Sequence, residues 1–189
     1  MVTTAEAVEL IARETGWKES DIRNRARWLV RDGYLPMGKP GRRGGADLTP
    51  EHLALLLLSL ACPLGKVSSR FVQQFAELKT TDGDRDWTLM EALLDRVDAF
   101  RDDQRFPKQE YRLDRVMLLF KEDWPLAEID FVKRDEASLG RGFPSVRLVF
   151  AKGSESDAPR TGLAEMLPAV AINGGVIMLI SDLLEVQDG

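Results

Sequence analysis

The sequence predicts an α+β fold, with helices in the first part of the chain and a small antiparallel sheet in the last part. Two observations predict it. Up to about residue 106, apolar residues recur at the three- and four-residue spacing of amphipathic helices. Beyond that point, short stretches alternate apolar and charged residues, as half-buried strands do. At 189 residues, the chain is long enough to bury a core without disulfides.

Capping residues and helix breakers set the expected ends of the first helices. Gly16 is expected to end the first helix and Gly33 the second, which should run over 20–32, and a fourth helix is expected at 67–79. The third helix carries the apolar run Leu53–Leu60, which predicts deep burial or contact with a partner. The first helix is expected to be capped by Thr3 or Thr4, with Glu6 placed to close a capping box on Thr3. The other expected N-caps are Ser20, Thr49 before Pro50, and Thr88 with Glu91.

The later part is predicted to hold strands at 127–134, 145–152 and 169–172, the first two paired with each other. The run 116–120 fits either a strand or a helix, and residues 174–186 are expected to form a last apolar helix. We therefore expect three units. They are a DNA-binding domain at 1–61, a helical middle segment at 66–106, and an α+β domain at 107–189 for dimerisation or partner binding.

The charge is unevenly distributed. Residues 18–43 contain eight basic and three acidic residues, a net charge of +5, which leaves −10 on the rest of a chain whose total is −5. A basic segment on an acidic body is typical of a nucleic-acid-binding module, because the acidic surface repels phosphates and confines contact to the basic part. A solvated charged helix would have the same composition.

The spacing of three residues within this region predicts a helix-turn-helix. Ala12 is small enough for two helices to cross closely, Gly16 suits the turn four residues later, and Ile22 can pack the second helix onto the first. In such a motif the second helix enters the major groove of DNA. The positions expected to face outward on that helix are Ser20, Asp21, Arg23, Asn24, Arg27 and Arg31.

All of these except the acidic Asp21 are candidate DNA contacts, because Arg and Asn pair with base edges. Lys18, in the turn, and Arg31, at the far end, suit phosphates. The glycine-rich loop that follows resembles a wing or arm, an ordinary connector being the alternative. Lys39, Arg42 and Arg43 are its candidate contacts to the DNA backbone or minor groove.

The run from Gly16 through Leu35-Pro36-Met37-Gly38-Lys39 and Gly41-Arg42, and then the helix Leu48–Leu57, resembles a known group of sequences. These are uncharacterised helix-turn-helix proteins of alphaproteobacterial genomes and prophages. Winged-helix modules of MerR-type regulators and of small terminase subunits are more distant likenesses. The resemblance covers roughly residues 1–95 and implies DNA binding in a phage-linked setting. No long dimerising coiled coil follows, which departs from the MerR pattern.

Enzymatic chemistry is not expected. Cys62 and His52 are the single cysteine and histidine, so a disulfide, a CxxC motif and a His-rich metal site are excluded. We expect no cofactor and no metal. The N-terminus lacks the features of a signal peptide, and no apolar run approaches ~18 residues, so we expect a cytoplasmic protein without a membrane segment.

The sequence as a whole predicts a winged helix-turn-helix module on an α+β body, acting as a phage-type transcriptional regulator. The expected partners are double-stranded DNA, a second copy of the chain in a dimer, and possible protein partners of the C-terminal domain. One alternative is a small-terminase-like subunit that recognises DNA for packaging and forms a ring. An alternative of another class is a protein-interaction adaptor whose basic segment docks on an acidic protein surface.

Overall fold

A computed structural model describes residues 2–38, 45–62, 69–81, 86–95, 111–119, 126–133, 146–151 and 169–173. Across these ranges the chain is mixed helix and sheet. The helices all precede residue 96, and four of the five strands of the larger sheet follow residue 110. The predicted α+β class is therefore confirmed.

Four helices have defined bounds, and residues 89–95 form a further helical segment. The first two are the longest and are joined by a three-residue turn. Each of the first three presents an apolar side to a common core. The four are α1 (Thr4–Thr15), α2 (Glu19–Arg31), α3 (Pro50–Ser59) and α4 (Ser69–Ala76).

The strands form two antiparallel sheets. A short ribbon pairs β1 (Val2–Thr3) with β2 (Asp47–Leu48) and so joins the start of α1 to the start of α3. The larger sheet has the order β3-β6-β5-β4-β7, in which every pairing is antiparallel. Its strands are β3 (Lys79–Thr80), β4 (Tyr111–Leu119), β5 (Leu126–Lys133), β6 (Val146–Ala151) and β7 (Ala169–Asn173).

Three of the predicted caps are confirmed. The Thr3 backbone N–H donates to Glu6 Oε2 at 2.8 Å, and the Thr88 N–H makes the same bond to Glu91. These bonds lower the pKa of each glutamate. At Thr49, His52 takes the usual place of the glutamate, because its Nδ1 accepts the Thr49 N–H at 3.1 Å.

The predicted cap at Ser20 is wrong. Helix α2 begins one residue earlier, at Glu19, with Lys18 as its N-cap and no side-chain hydrogen bond there. The chain enters α2 directly from the turn at Gly16. The acidic Glu19 and Asp21 then occupy the first turn, where negative charge is favourable beside the positive end of the helix dipole.

The later elements follow the predicted pattern with one exception. The three predicted strands are confirmed as β5, β6 and β7, and the ambiguous run beginning at Val116 belongs to strand β4. Lys79, expected at the end of the fourth helix, instead forms β3 with Thr80, because the two residues pair with Ala151 and Phe150 of β6. The predicted last helix, 174–186, lies outside the described residues.

One cluster of buried side chains includes residues of all three predicted units, among them Ile11, Phe75 and Ile129. Helix α3 lies within it, and Leu53, Leu56 and Leu58 are essentially inaccessible to solvent. The structure therefore shows that this apolar helix is buried within its own chain. Among the described residues, no helix is long and apolar enough to cross a membrane.

Candidate nucleic-acid interface

Helices α1 and α2 form a helix–turn–helix pair. Gly16 ends α1 in the left-handed conformation, with φ of 71°, and its N–H donates to the Ala12 carbonyl at 3.0 Å. The turn continues through Trp17 to Lys18, where α2 begins. Ile22 is completely buried and Ala12 packs at the edge of the same core, in the positions that the spacing predicts.

The two sides of α2 have opposite character. Ile22, Ala26 and Leu29 face the core, together with Arg25. A helix turns by about 100° per residue, so the opposite side of α2 carries four polar residues over three turns. All four are exposed. This set, called the α2 ridge below, consists of Ser20, Asn24, Arg27 and Arg31.

The remaining predicted contacts of this region flank the α2 ridge. Lys18 is exposed at the start of α2, and Arg23 is exposed on one flank of the α2 ridge. Asp21 is half-buried, so it faces outward less than expected. All six candidate contacts of this region are therefore exposed. Five of them lie on α2, and Lys18 is its N-cap.

Ion pairs divide the exposed cations into two kinds. Arg23 pairs with Glu19 one turn earlier, and Arg31 pairs with Asp32 at 2.9 Å, which raises the pKa of Arg31. Within the part of the chain that the structure describes, Lys18 and Arg27 form no ion pair. The Arg27 guanidinium is 3.5 Å from Asn24 Oδ1, at the outer limit of a hydrogen bond. Of the exposed cations on α2 and at its N-cap, Lys18 and Arg27 are therefore the most available to an anion.

Arg25 has a role that composition and charge do not predict. Its side chain is 1% exposed, and its guanidinium donates to the carbonyls of Ser59 and of Cys62, the latter at 2.7 Å. It also lies 5.0 Å from the centre of the Trp17 ring, a cation–π distance. Burial lowers the pKa of Arg25. The signal was present in the sequence, because position 25 shares the helical face of Ile22, Ala26 and Leu29.

The candidate contacts of the basic loop, Lys39, Arg42 and Arg43, lie outside the described residues. The two ends of the loop are described. A β-carbon added to Gly38 would lie 3.1 Å from the Cα of Gly45, so the two backbones touch. Gly45 has φ of +88° and a β-carbon there would meet the Thr4 side chain at 3.1 Å. The loop therefore starts and ends at one place, beside the first residue of α1.

The described residues outside this region offer no second chemical site. Among the described residues, no three His, Cys, Asp or Glu side chains come together in a way that could hold a metal ion. Burial raises the pKa of the Cys62 thiol to about 11, the opposite of what a nucleophilic cysteine needs. Comparison with protein-family models, curated proteins and solved structures finds no match to the chain.

Proposed function

We propose that this protein binds double-stranded DNA and that α2 is the helix that enters the major groove. The observation that carries the proposal is the α2 ridge, a line of polar side chains on the solvent side of a helix whose other side is fixed in the core. The major groove is wide enough to admit a helix, and Arg and Asn pair with the edges of guanine and adenine. A short turn before the recognition helix is typical of this motif.

The charges suggest how the contacts divide. Asn24 and Arg27 are neighbours near the middle of the α2 ridge and are assigned to base edges. Lys18 and Arg31, at the two ends of α2, are assigned to phosphates. Arg23 reaches DNA by leaving Glu19, and this costs little because an exposed ion pair contributes about 0–1 kcal/mol.

The wider proposal is a winged helix-turn-helix regulator of phage or prophage type. Its support is the closed base of the basic loop next to α1, which suits a wing, and the sequence resemblance described above. In this arrangement Lys39, Arg42 and Arg43 supply backbone or minor-groove contacts and Ser20 supplies an adaptable hydrogen bond in the major groove.

Selection of bound duplexes from a random pool, with the full chain, tests DNA binding directly. We expect a preferred sequence and an affinity that falls steeply with salt, because each phosphate contact releases counterions. An affinity that does not change with salt would contradict the electrostatic interpretation and favour the adaptor alternative.

Variants then separate the assigned roles. Asn24→Ala and Arg27→Ala should reduce the preference for the selected sequence, whereas Lys18→Ala should weaken all duplexes alike and reduce the salt slope by about one. Arg13→Ala is the matched control, since Arg13 is an exposed arginine of α1 that pairs with Glu14 at 2.8 Å. Equal effects of Arg13→Ala and Arg27→Ala would contradict the assignment of the α2 ridge.

The mass of the protein in solution distinguishes the regulator from a packaging subunit. A regulator of this kind is proposed to be a dimer, because two modules held together bind a two-fold symmetric site with a higher effective concentration. Light scattering of the full chain measures this mass. A ring of eight or more copies would favour the packaging subunit, and a strict monomer would contradict the dimer.

A further inference from the structure

Arg25 of α2 binds the buried end of α3 and so joins the two helices. The last carbonyls of a helix receive no N–H from the regular helical ladder and carry partial negative charge, and at the end of α3 the Ser59 carbonyl accepts the Cys62 N–H at 3.1 Å. Helix α3 has no basic residue in its last turn, and its end, from Ser59 to Cys62, is buried. Arg25 of α2 supplies the cation and the donors, through the Ser59 and Cys62 carbonyls.

The third contact of Arg25 extends this link to the turn before α2. The guanidinium lies over the ring of Trp17, the residue directly after Gly16. A planar guanidinium can donate in its plane and stack through its face at the same time, and an ammonium cannot. A single side chain therefore connects the turn, the recognition helix proposed above, and the end of α3.

We propose that Arg25 is the positioning residue of this module: it fixes the angle of α2 against α3 and thereby the direction in which the α2 ridge faces. The effect of Arg25 on DNA recognition rests on the proposed function, because the direction of the α2 ridge decides which base edges it reaches. Arg25 itself is buried, so we expect it to act through the position of α2 and not through a contact with DNA.

The test compares full-length Arg25→Met, Arg25→Lys and the surface control Arg13→Met with the wild type, each shown to be folded by circular dichroism. Affinity is measured for the selected duplex and for random duplexes. In Arg25→Met we expect the ratio of the two affinities to fall by a factor of about ten, while the affinity for random duplexes stays within a factor of about two. Arg25→Lys should lie between Arg25→Met and the wild type, and Arg13→Met should match the wild type.

A purely structural role would lower both affinities in proportion to the unfolded fraction and leave the ratio unchanged. An unchanged ratio in folded Arg25→Met therefore overturns the proposal, and if that variant does not fold, an unchanged ratio in Arg25→Lys does so.

Hydrogen exchange on the same proteins separates this proposal from the proposed function. Arg25→Lys should speed exchange in 19–31 and in 57–62 together, whether or not DNA binds. If the wild type binds no DNA but this joint change occurs, the proposed function fails and the positioning role stands. If exchange in the two segments is unchanged or changes in only one, the positioning role fails.

Discussion

At the scale of single residues, we expect Arg25 to contribute strongly to stability, because its buried guanidinium binds two carbonyls of another segment. It is the largest of the fully buried side chains in the described part of the chain. Arg25→Met would leave the Cys62 carbonyl without its donor, and we expect a loss of about 2–4 kcal/mol in the free energy of unfolding. Urea denaturation measures this loss. The control Arg13→Met should stay within about 0.5 kcal/mol of the wild type, and equal losses would contradict the prediction.

The buried thiol of Cys62 should make the free energy of unfolding decrease at alkaline pH. Burial raises the pKa of its thiol from 9.0 to about 11, so the folded state keeps the proton where the unfolded state releases it. The free energy of unfolding should therefore fall as the pH rises through this window, by about 3 kcal/mol in all. Cys62→Ala, compared with the wild type by urea denaturation at about pH 8 and about pH 10.5, should lack this part of the decrease. Parallel slopes in the two proteins would contradict it.

The candidate residues on α2 could be predicted because exposure follows the helical period. Ser20, Asn24, Arg27 and Arg31 are exposed as expected, since they oppose Ile22. A local sequence pattern cannot identify the hydrogen-bond partner of a buried side chain. The carbonyls that bind Arg25 lie 34 and 37 residues further along the chain, and only the folded packing of α2 against α3 brings them together.

At the scale of secondary structure, the backbone conformation of Gly16 decides how much stability a substitution there would lose. A β-carbon there has open space around it, so the penalty of Gly16→Ala comes from its φ of 71° alone. We expect a loss of about 1 kcal/mol in the free energy of unfolding. Gly16→Asn should lose less, because asparagine tolerates the left-handed region. Thermal denaturation of the two variants compares them, and equal stability of Gly16→Ala and wild type would contradict the argument.

Capping boxes and strands with a clear apolar alternation were predictable, whereas an element that only its pairing with a distant strand defines was not. The capping boxes at Thr3 and Thr88 are each closed by a glutamate three positions later, so the local sequence is enough to predict them. Strand β3 has two residues and is defined by its pairing with β6, about seventy residues later. The run at Val116 was ambiguous for the same reason, because pairing with β5 and β7 decides between strand and helix.

At the scale of the molecule, a shared core predicts cooperative unfolding. The cluster that contains Ile11 and Leu56 also contains Val116 and Ile129 of the larger sheet. We expect circular dichroism in the far ultraviolet and tryptophan fluorescence to report a single coincident transition in urea. Two separate transitions would show that residues 1–61 fold as an independent domain and would contradict the prediction.

The contact between Gly38 and Gly45 has a consequence for how this protein tolerates change in evolution and in design. Because Gly38 and Gly45 lie side by side, we expect the number of residues between them to have little effect on the rest of the fold. Doubling the length of such a closed loop costs only about 0.6 kcal/mol in chain entropy. The segment 39–44 is therefore a natural site for insertions and deletions, where a lineage can exchange one basic sequence for another, or an engineer can graft a reporter peptide, without redesigning the scaffold.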